Sequence, residues 1–179
     1  FLYGTGQNGK GVFCETLQRL FGGYAKAMPD TLLMAGKSDG ASGPTPEVAE
    51  LCGLRLGLVA EVEDGARFAE ARVKTLTGND TLSARRLYQG PFDFRPTHKL
   101  ILAGNHLPNI KGGSHGLWRR LRLIPFAVRI SDHACDKNLA RMLERELSGI
   151  LNWALEGYRR WREHGLRTPA CVKEASARY

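Results

Sequence analysis

FLYGTGQNGKGVF, residues 1 to 13, decides the fold class: an apolar triplet, a glycine-rich turn closing on Gly9-Lys10, then the start of an amphipathic helix. Phe1 to Tyr3 suits a short buried strand. From Lys10 to Phe21, Val12, Phe13, Leu17, Leu20 and Phe21 fall on one helical face before Gly22-Gly23 ends the pattern. Gly4, Gly9 and Lys10 fit G-x-x-x-x-G-K. Strand before and helix after are the context in which glycines let backbone amides converge on phosphate, the helix N-terminus adds its dipole, and the lysine neutralises β and γ oxygens. The expected nucleotide-binding set is therefore Gly4, Thr5, Gly6, Gln7, Asn8, Gly9, Lys10, Gly11 and Val12. Gly11 departs from the pattern, because a Ser or Thr there would place its hydroxyl on Mg²⁺. With glycine, a water must fill that place while carboxylates elsewhere hold the ion's shell.

Those carboxylates are expected in LRLGLVAEVEDG, residues 54 to 65, where an apolar run from Leu56 to Ala60 reads as a buried strand with acids at its exit. This strand is expected to lie beside the one that enters the glycine loop. Glu61 and Glu63, two positions apart in extended chain, point to the same side. Glu61 is the preferred metal ligand and Glu63 the preferred group for orienting water, with the reverse assignment open. The plain alternative is a solvated acidic turn. HKLILAGN, residues 98 to 105, is a second buried strand. It ends at Asn105, whose amide suits a γ-phosphate or the attacking water, although Asn also ends strands for turn reasons. LWRRLRLIPF, residues 117 to 126, supplies Arg120 and, second, Arg119 as an arginine finger for transition-state charge, acting on a neighbour's nucleotide or on its own. A surface pair on an edge strand is the other reading.

The remaining chain reads as connecting and supporting structure. Residues 36 to 46 form a loop rich in Gly, Ser and Pro, with a short helix from Glu47 to about Cys52 and another over 66 to 76. TLSARRLYQGPFDFRP, residues 81 to 96, predicts two strands around Gly90-Pro91. Residues 119 to 130 predict a strand whose Pro125 marks an edge or a terminus. From Asp136, Leu139, Met142, Leu143, Leu147, Ile150, Leu151, Ala154, Leu155 and Tyr158 recur at helical spacings and predict a core-facing stripe. Gly149 would weaken or bend it, Gly165 cap it, and Thr168-Pro169 start a last helix. The expected division is a core over 1–130 and a helical segment over 131–179.

Bulk properties narrow the class further. The 179 residues carry a net charge of +8, and residues 81 to 129 hold nine basic side chains against one acidic. Such clustering suits a polyanion, since Lys and Arg gain by releasing counterions from phosphate backbones. A solvated basic face is the plain alternative. No apolar run approaches the roughly 20 residues that span a bilayer. Cysteines 14, 52, 135 and 171 are too scattered for a Cys-x-x-Cys metal site or a disulfide scaffold, which suits idle thiols in a reducing cytoplasm. The first residue is not Met, so a piece of a longer polypeptide is expected. His98 and His106 have no partner at a diagnostic spacing and read as structural.

GTGQNGKG, LVAEVEDG, LTGNDTLSARRLYQGPFDFRPTHKLILAGNHLP and WRRLRLIPF, in this order, resemble the superfamily III helicase domain of phage and plasmid primase-helicases. GILNWALEGYRRW is similar to that family's trailing helices. The resemblance implies an α/β, AAA+-like P-loop core with a central parallel sheet flanked by helices, a β-hairpin insertion and a C-terminal helical segment. It implies ATP and Mg²⁺ as cofactors, hydrolysis at the interfaces of a hexameric ring, movement on single-stranded DNA, and a fused or associated primase module. Walker A falls on Gly4 to Lys10, Walker B on Glu61 and its neighbours, sensor 1 on Asn105, and the finger on Arg120 or Arg119. The family's channel hairpin falls on residues 81 to 99, with Arg85, Arg86, Tyr88, Arg95 and Lys99 as DNA contacts. Phe92 belongs to the same stretch, and Tyr88 and Phe92 read equally well as core residues. Two other classes remain: a P-loop kinase of a nucleotide or small molecule, which leaves the basic segment unexplained, and a non-hydrolysing DNA-binding assembly module, favoured by Gly11.

Overall fold

The computed structural model describes residues 1–36, 45–60, 62–110 and 115–179. β1 (Leu2–Tyr3) enters the glycine loop and α1 (Lys10–Phe21) leaves it. There follow β2 (Ala25–Met28), α2 (Pro46–Glu50), β3 (Leu56–Ala60) and α3 (Glu70–Leu76). β4 (Leu82–Arg85) and β5 (Pro91–Phe94) form a separate antiparallel hairpin, with Leu82 opposite Phe94 and Arg85 opposite Pro91. β6 (Lys99–Gly104), α4 (His115–Trp118), β7 (Ile124–Pro125), α5 (Leu139–Arg145), α6 (Leu147–His164) and α7 (Ala170–Arg178) complete the chain.

The result is a mixed α/β fold on one five-stranded sheet, ordered β2-β3-β6-β1-β7 with every pair parallel. Parallel sheets are covered on both faces, which calls for strands that are apolar throughout. β3 meets that demand: Leu56, Gly57, Leu58 and Val59 are all buried. One face of the sheet receives α1, whose Cys14 and Leu17 pack on Ala25, Leu56 and Leu58. The larger core includes Met28, Leu51, Val59, Val73, Leu102 and Leu117. α7 closes the end near β7: Leu123 N donates to Ser176 Oγ at 3.1 Å, and the Tyr179 hydroxyl donates to the Pro108 carbonyl. Burial pushes the Tyr179 phenol up from its ordinary pKa.

Several expectations need correction. The acid-bearing strand β3 is not the neighbour of β1; β6 lies between them. The strand expected over 119–130 is only Ile124–Pro125, because the preceding residues turn through α4 and Phe126 departs after bonding Tyr3 O at 2.7 Å. The C-terminal helical run breaks at Glu146, which ends α5 and precedes α6, and not at Gly149. Its apolar row faces inward only in part: Leu143, Leu147, Ile150 and Ala154 are half-buried, whereas Met142, Leu151, Leu155 and Tyr158 are 49%, 47%, 46% and 51% exposed. Phe13 and Phe21 of α1 are likewise more than a third exposed.

Candidate active site

Parallel strands share a direction, so β1, β3 and β6 all end at one edge of the sheet, and ligands of open α/β sheets bind outside that edge. The glycine loop, Glu63 and Asp64 after β3, and Asn105 after β6 therefore meet there. Within the loop Gly6, Gln7 and Gly9 adopt positive φ of 103°, 47° and 82°, which curls the backbone around its own amides. Gly4 has no room for a side chain: a Cβ would lie 2.3 Å from the Phe126 carbonyl oxygen and 2.2 Å from Asn8 Nδ2. α1 starts at Lys10, and Gly9 before it offers no side-chain cap, so the amides of its first turn remain available to an anion.

Lys10 is the centre of the site. Only 8% exposed, it donates from Nζ to Gly4 O at 2.6 Å, Asn8 Oδ1 at 3.0 Å and Asn105 Oδ1 at 3.0 Å. Three acceptors occupy its three protons. Desolvation lowers its pKa from the ordinary lysine value, which an incoming anion would offset. Two clefts meet at Lys10, Gly11 and Asn105. The first, about 480 Å³, runs from the glycine loop to an apolar wall of Ile130, Ala134 and Leu139. The second, about 580 Å³, is bordered by Val62, Glu63, Asp64 and His106.

Glu63 and Asp64 are exposed in that second cleft, while Glu61 lies outside the described residues. Among the described residues no group of three or more His, Cys, Asp or Glu is arranged around a metal. The fit to Mg²⁺ rests instead on open space and oxygen donors: a Cβ on Gly11 meets nothing within 4 Å, which leaves room for a water, and Mg²⁺ commonly keeps several. His106, whose spacing suggests a structural role, lines this cleft with Nδ1 3.5 Å from Asp64 Oδ1. Its only sequence signal is adjacency to Asn105. His98 is indeed internal, 6% exposed, with Nε2 3.0 Å from Leu76 O and a pKa lowered by burial.

The arginines stand elsewhere. Arg120 Nη1 donates to Gly116 O at 2.7 Å, and its side chain lines a cavity with Thr77, Lys99 and Leu100, at the start of β6. Asn105 follows the other end of that strand, about 20 Å away at roughly 3.3 Å per residue. Arg120 therefore does not reach its own clefts. Arg119 is exposed, and its carbonyl accepts from Arg122 Nη1 at 3.0 Å.

In the hairpin, Tyr88 sits at the tip with φ 59° and 95% exposure, beside Leu87 at 58%, so neither belongs to the core. Arg86 lies 5.0 Å from the centre of the half-buried Phe92 ring. Arg85 Nε donates to Gln89 O at 3.2 Å. Arg95 and Lys99 are exposed but fall outside the β4–β5 hairpin: Arg95 follows β5, and Lys99 opens β6, paired with Leu56 of β3. No helix among the described residues is long and apolar enough to cross a membrane.

An α/β fold with a lysine-centred glycine loop and an acid-bearing strand exit on one sheet edge defines the class that comparison with known proteins can refine. The chain belongs to the family of unknown function DUF5906, whose model matches residues 2–120. It is 32% identical over 195 residues to "Putative helicase L207/L206" of Acanthamoeba polyphaga mimivirus, spanning 99% of this chain and 20% of that protein. It is 34% identical over 130 residues to "Putative helicase 022R" of Frog virus 3, spanning 70% of this chain and 13% of the relative. "Putative primase C962R" of African swine fever virus is 26% identical over 119 residues, covering 66% and 12%. The chain thus spans a fifth or less of these relatives. The solved apo structure of the NrS-1 C-terminal region shares the fold, with TM-score 0.63 and 16% identity over 83% of this chain and 35% of that one. The relatives come from large DNA viruses and carry helicase or primase names.

Proposed function

We propose that the chain is the ATP-hydrolysing motor of a viral-type replicative helicase, with an AAA+-like P-loop core over 1–130 and a helical segment over 131–179. The observation that carries this reading is the hydrogen bond, 3.0 Å long, between Lys10 Nζ and Asn105 Oδ1, which joins the glycine loop to the end of β6 where two clefts meet. ATP lays its phosphates along residues 4 to 12, and its γ-phosphate takes Lys10 from Gly4 O and Asn105. The freed Asn105 amide then contacts the γ-phosphate or the attacking water. Glu63 orients that water and accepts its proton as the oxygen bonds to phosphorus and the bond to the ADP oxygen breaks. Glu61, through waters, would hold Mg²⁺, which would supply charge neutralisation to the phosphates. Exposed Tyr88, with Arg85, Arg86, Arg95 and Lys99, provides stacking and phosphate contacts for single-stranded DNA. The helicase and primase names of the relatives support this reading, as does the basic run from 81 to 129. A ring of copies, a primase module elsewhere in the polypeptide and a cytoplasmic setting belong to the same proposal.

Gly11 favours a second reading, a non-hydrolysing DNA-binding assembly module. ATPase measurements with and without single-stranded DNA separate the two. Stimulated hydrolysis that Lys10→Ala abolishes supports the motor; a protein that binds ATP and DNA but turns over neither alone nor together supports the module.

A further inference from the structure

The segment after β7 does more than pass the glycine loop. It grips it. Gln7, a non-glycine residue at φ 47°, is held by four hydrogen bonds with three residues: Ile130 N donates to its carbonyl at 2.6 Å, Arg129 Nε and Nη2 donate to its Oε1 at 2.9 and 2.8 Å, and its Nε2 donates to Asp132 Oδ1 at 3.2 Å. Its amide thus stands between a cation and an anion, bonding each with the matching end. Asn8 adds a second hold, giving Nδ2 to Phe126 O at 3.0 Å while its Oδ1 accepts from Lys10. The loop's crest and its lysine are therefore both tied to residues 126–132. The same segment continues to Ile130, Ala134 and Leu139, the apolar wall of the first cleft, and on into α5, which Glu144 pairs to Arg19 of α1 at 2.5 Å.

We propose that Gln7 is a positioning residue, and that its clamp by Arg129 and Asp132 couples nucleotide occupancy of the glycine loop to the placement of residues 126–139 and the helices that follow. This rests on the nucleotide-binding reading above. A left-handed Gln is strained on its own, so the loop shape that presents its amides exists while the clamp is closed. Any ligand that binds that shape more tightly also favours the closed segment, by reciprocity of linked equilibria. The clamp touches no reacting atom and acts only through the loop.

The test measures ATP affinity by calorimetry, and amide hydrogen exchange with and without Mg-ATP, on the full chain. Wild type is expected to gain protection at 126–139 together with residues 4–12. Gln7→Ala should weaken ATP binding about tenfold and Arg129→Ala by as much or less, and the double variant should be no weaker than Gln7→Ala alone, because that substitution already removes the Arg129 contact. Gln7→Glu places a carboxylate against Asp132 and should weaken binding, whereas Gln7→Glu with Asp132→Asn restores the match and the affinity. A merely structural role would not produce that rescue. Additive losses, absence of rescue, or ATP protection confined to 4–12 would overturn the coupling while leaving nucleotide binding intact. Wild-type protein that binds no ATP would overturn the nucleotide reading and the coupling with it.

Discussion

Gly4 and Gly11 flank the same loop under opposite constraints. At Gly4 an added methyl would press on a backbone carbonyl at 2.3 Å, and backbone cannot move aside cheaply. Gly4→Ala is expected to cost about 1–3 kcal/mol, typical of overpacking, and to lower Tm by several degrees with loss of ATP binding. At Gly11 the space is open. Gly11→Ser should gain about 0.5 kcal/mol of helix propensity in α1 and bring a hydroxyl to the proposed ion. Magnesium titration of ATP hydrolysis should then show half-saturation at a several-fold lower concentration; an unchanged titration would mean that no ligand is missing there. The loop's glycines were legible because a left-handed backbone and a close approach leave a residue-level mark. His106 left only its adjacency to Asn105, since its place beside Asp64 arises only when β3 and β6 end side by side.

At the scale of elements, periodicity identified what burial dictates. β3 and β6 pair over five positions, and their apolar runs stand out because both faces are covered. β2 carries no such pattern because Ala25–Met28 is short, includes Lys26, and buries only its two ends. The row in α5 and α6 differs from its pattern for another reason: helical spacing records an amphipathic face but says nothing of what covers it. The hairpin shows the same limit favourably. Its two strands were legible, but the turn falls over residues 86–90 rather than at Gly90-Pro91, since Pro91 already pairs with Arg85, and only the fold shows that Tyr88 stands clear of the core. Base stacking is worth about 1–3 kcal/mol per base, so Tyr88→Ala should weaken binding to single-stranded DNA about tenfold or more. Fluorescence anisotropy with a labelled oligonucleotide reads this directly. Tm should not change, because the side chain is 95% exposed and contributes little packing.

For the whole molecule, the decisive fact is the distance between the two ends of β6. Lys10 and Asn105 lie at one edge of the sheet, and Arg120 lies beside Lys99 and Leu100 at the other. No single copy brings them together. If Arg120 supplies charge to the transition state, it does so in a neighbour's cleft, and hydrolysis must depend on association. Specific activity should therefore rise with protein concentration across the range where light scattering detects assembly. Arg120→Ala should keep ATP affinity within about twofold but lose turnover, whereas Lys10→Ala should lose both. Mixing the two inactive variants is the sharper measurement. Some interfaces then pair an intact glycine loop on one copy with an intact Arg120 on the other, and these should recover activity up to about a quarter of wild type in a random ring with independent sites. Complete inactivity of a mixture shown to co-assemble would remove Arg120 from the reaction and leave it as the residue that fastens α4 through Gly116.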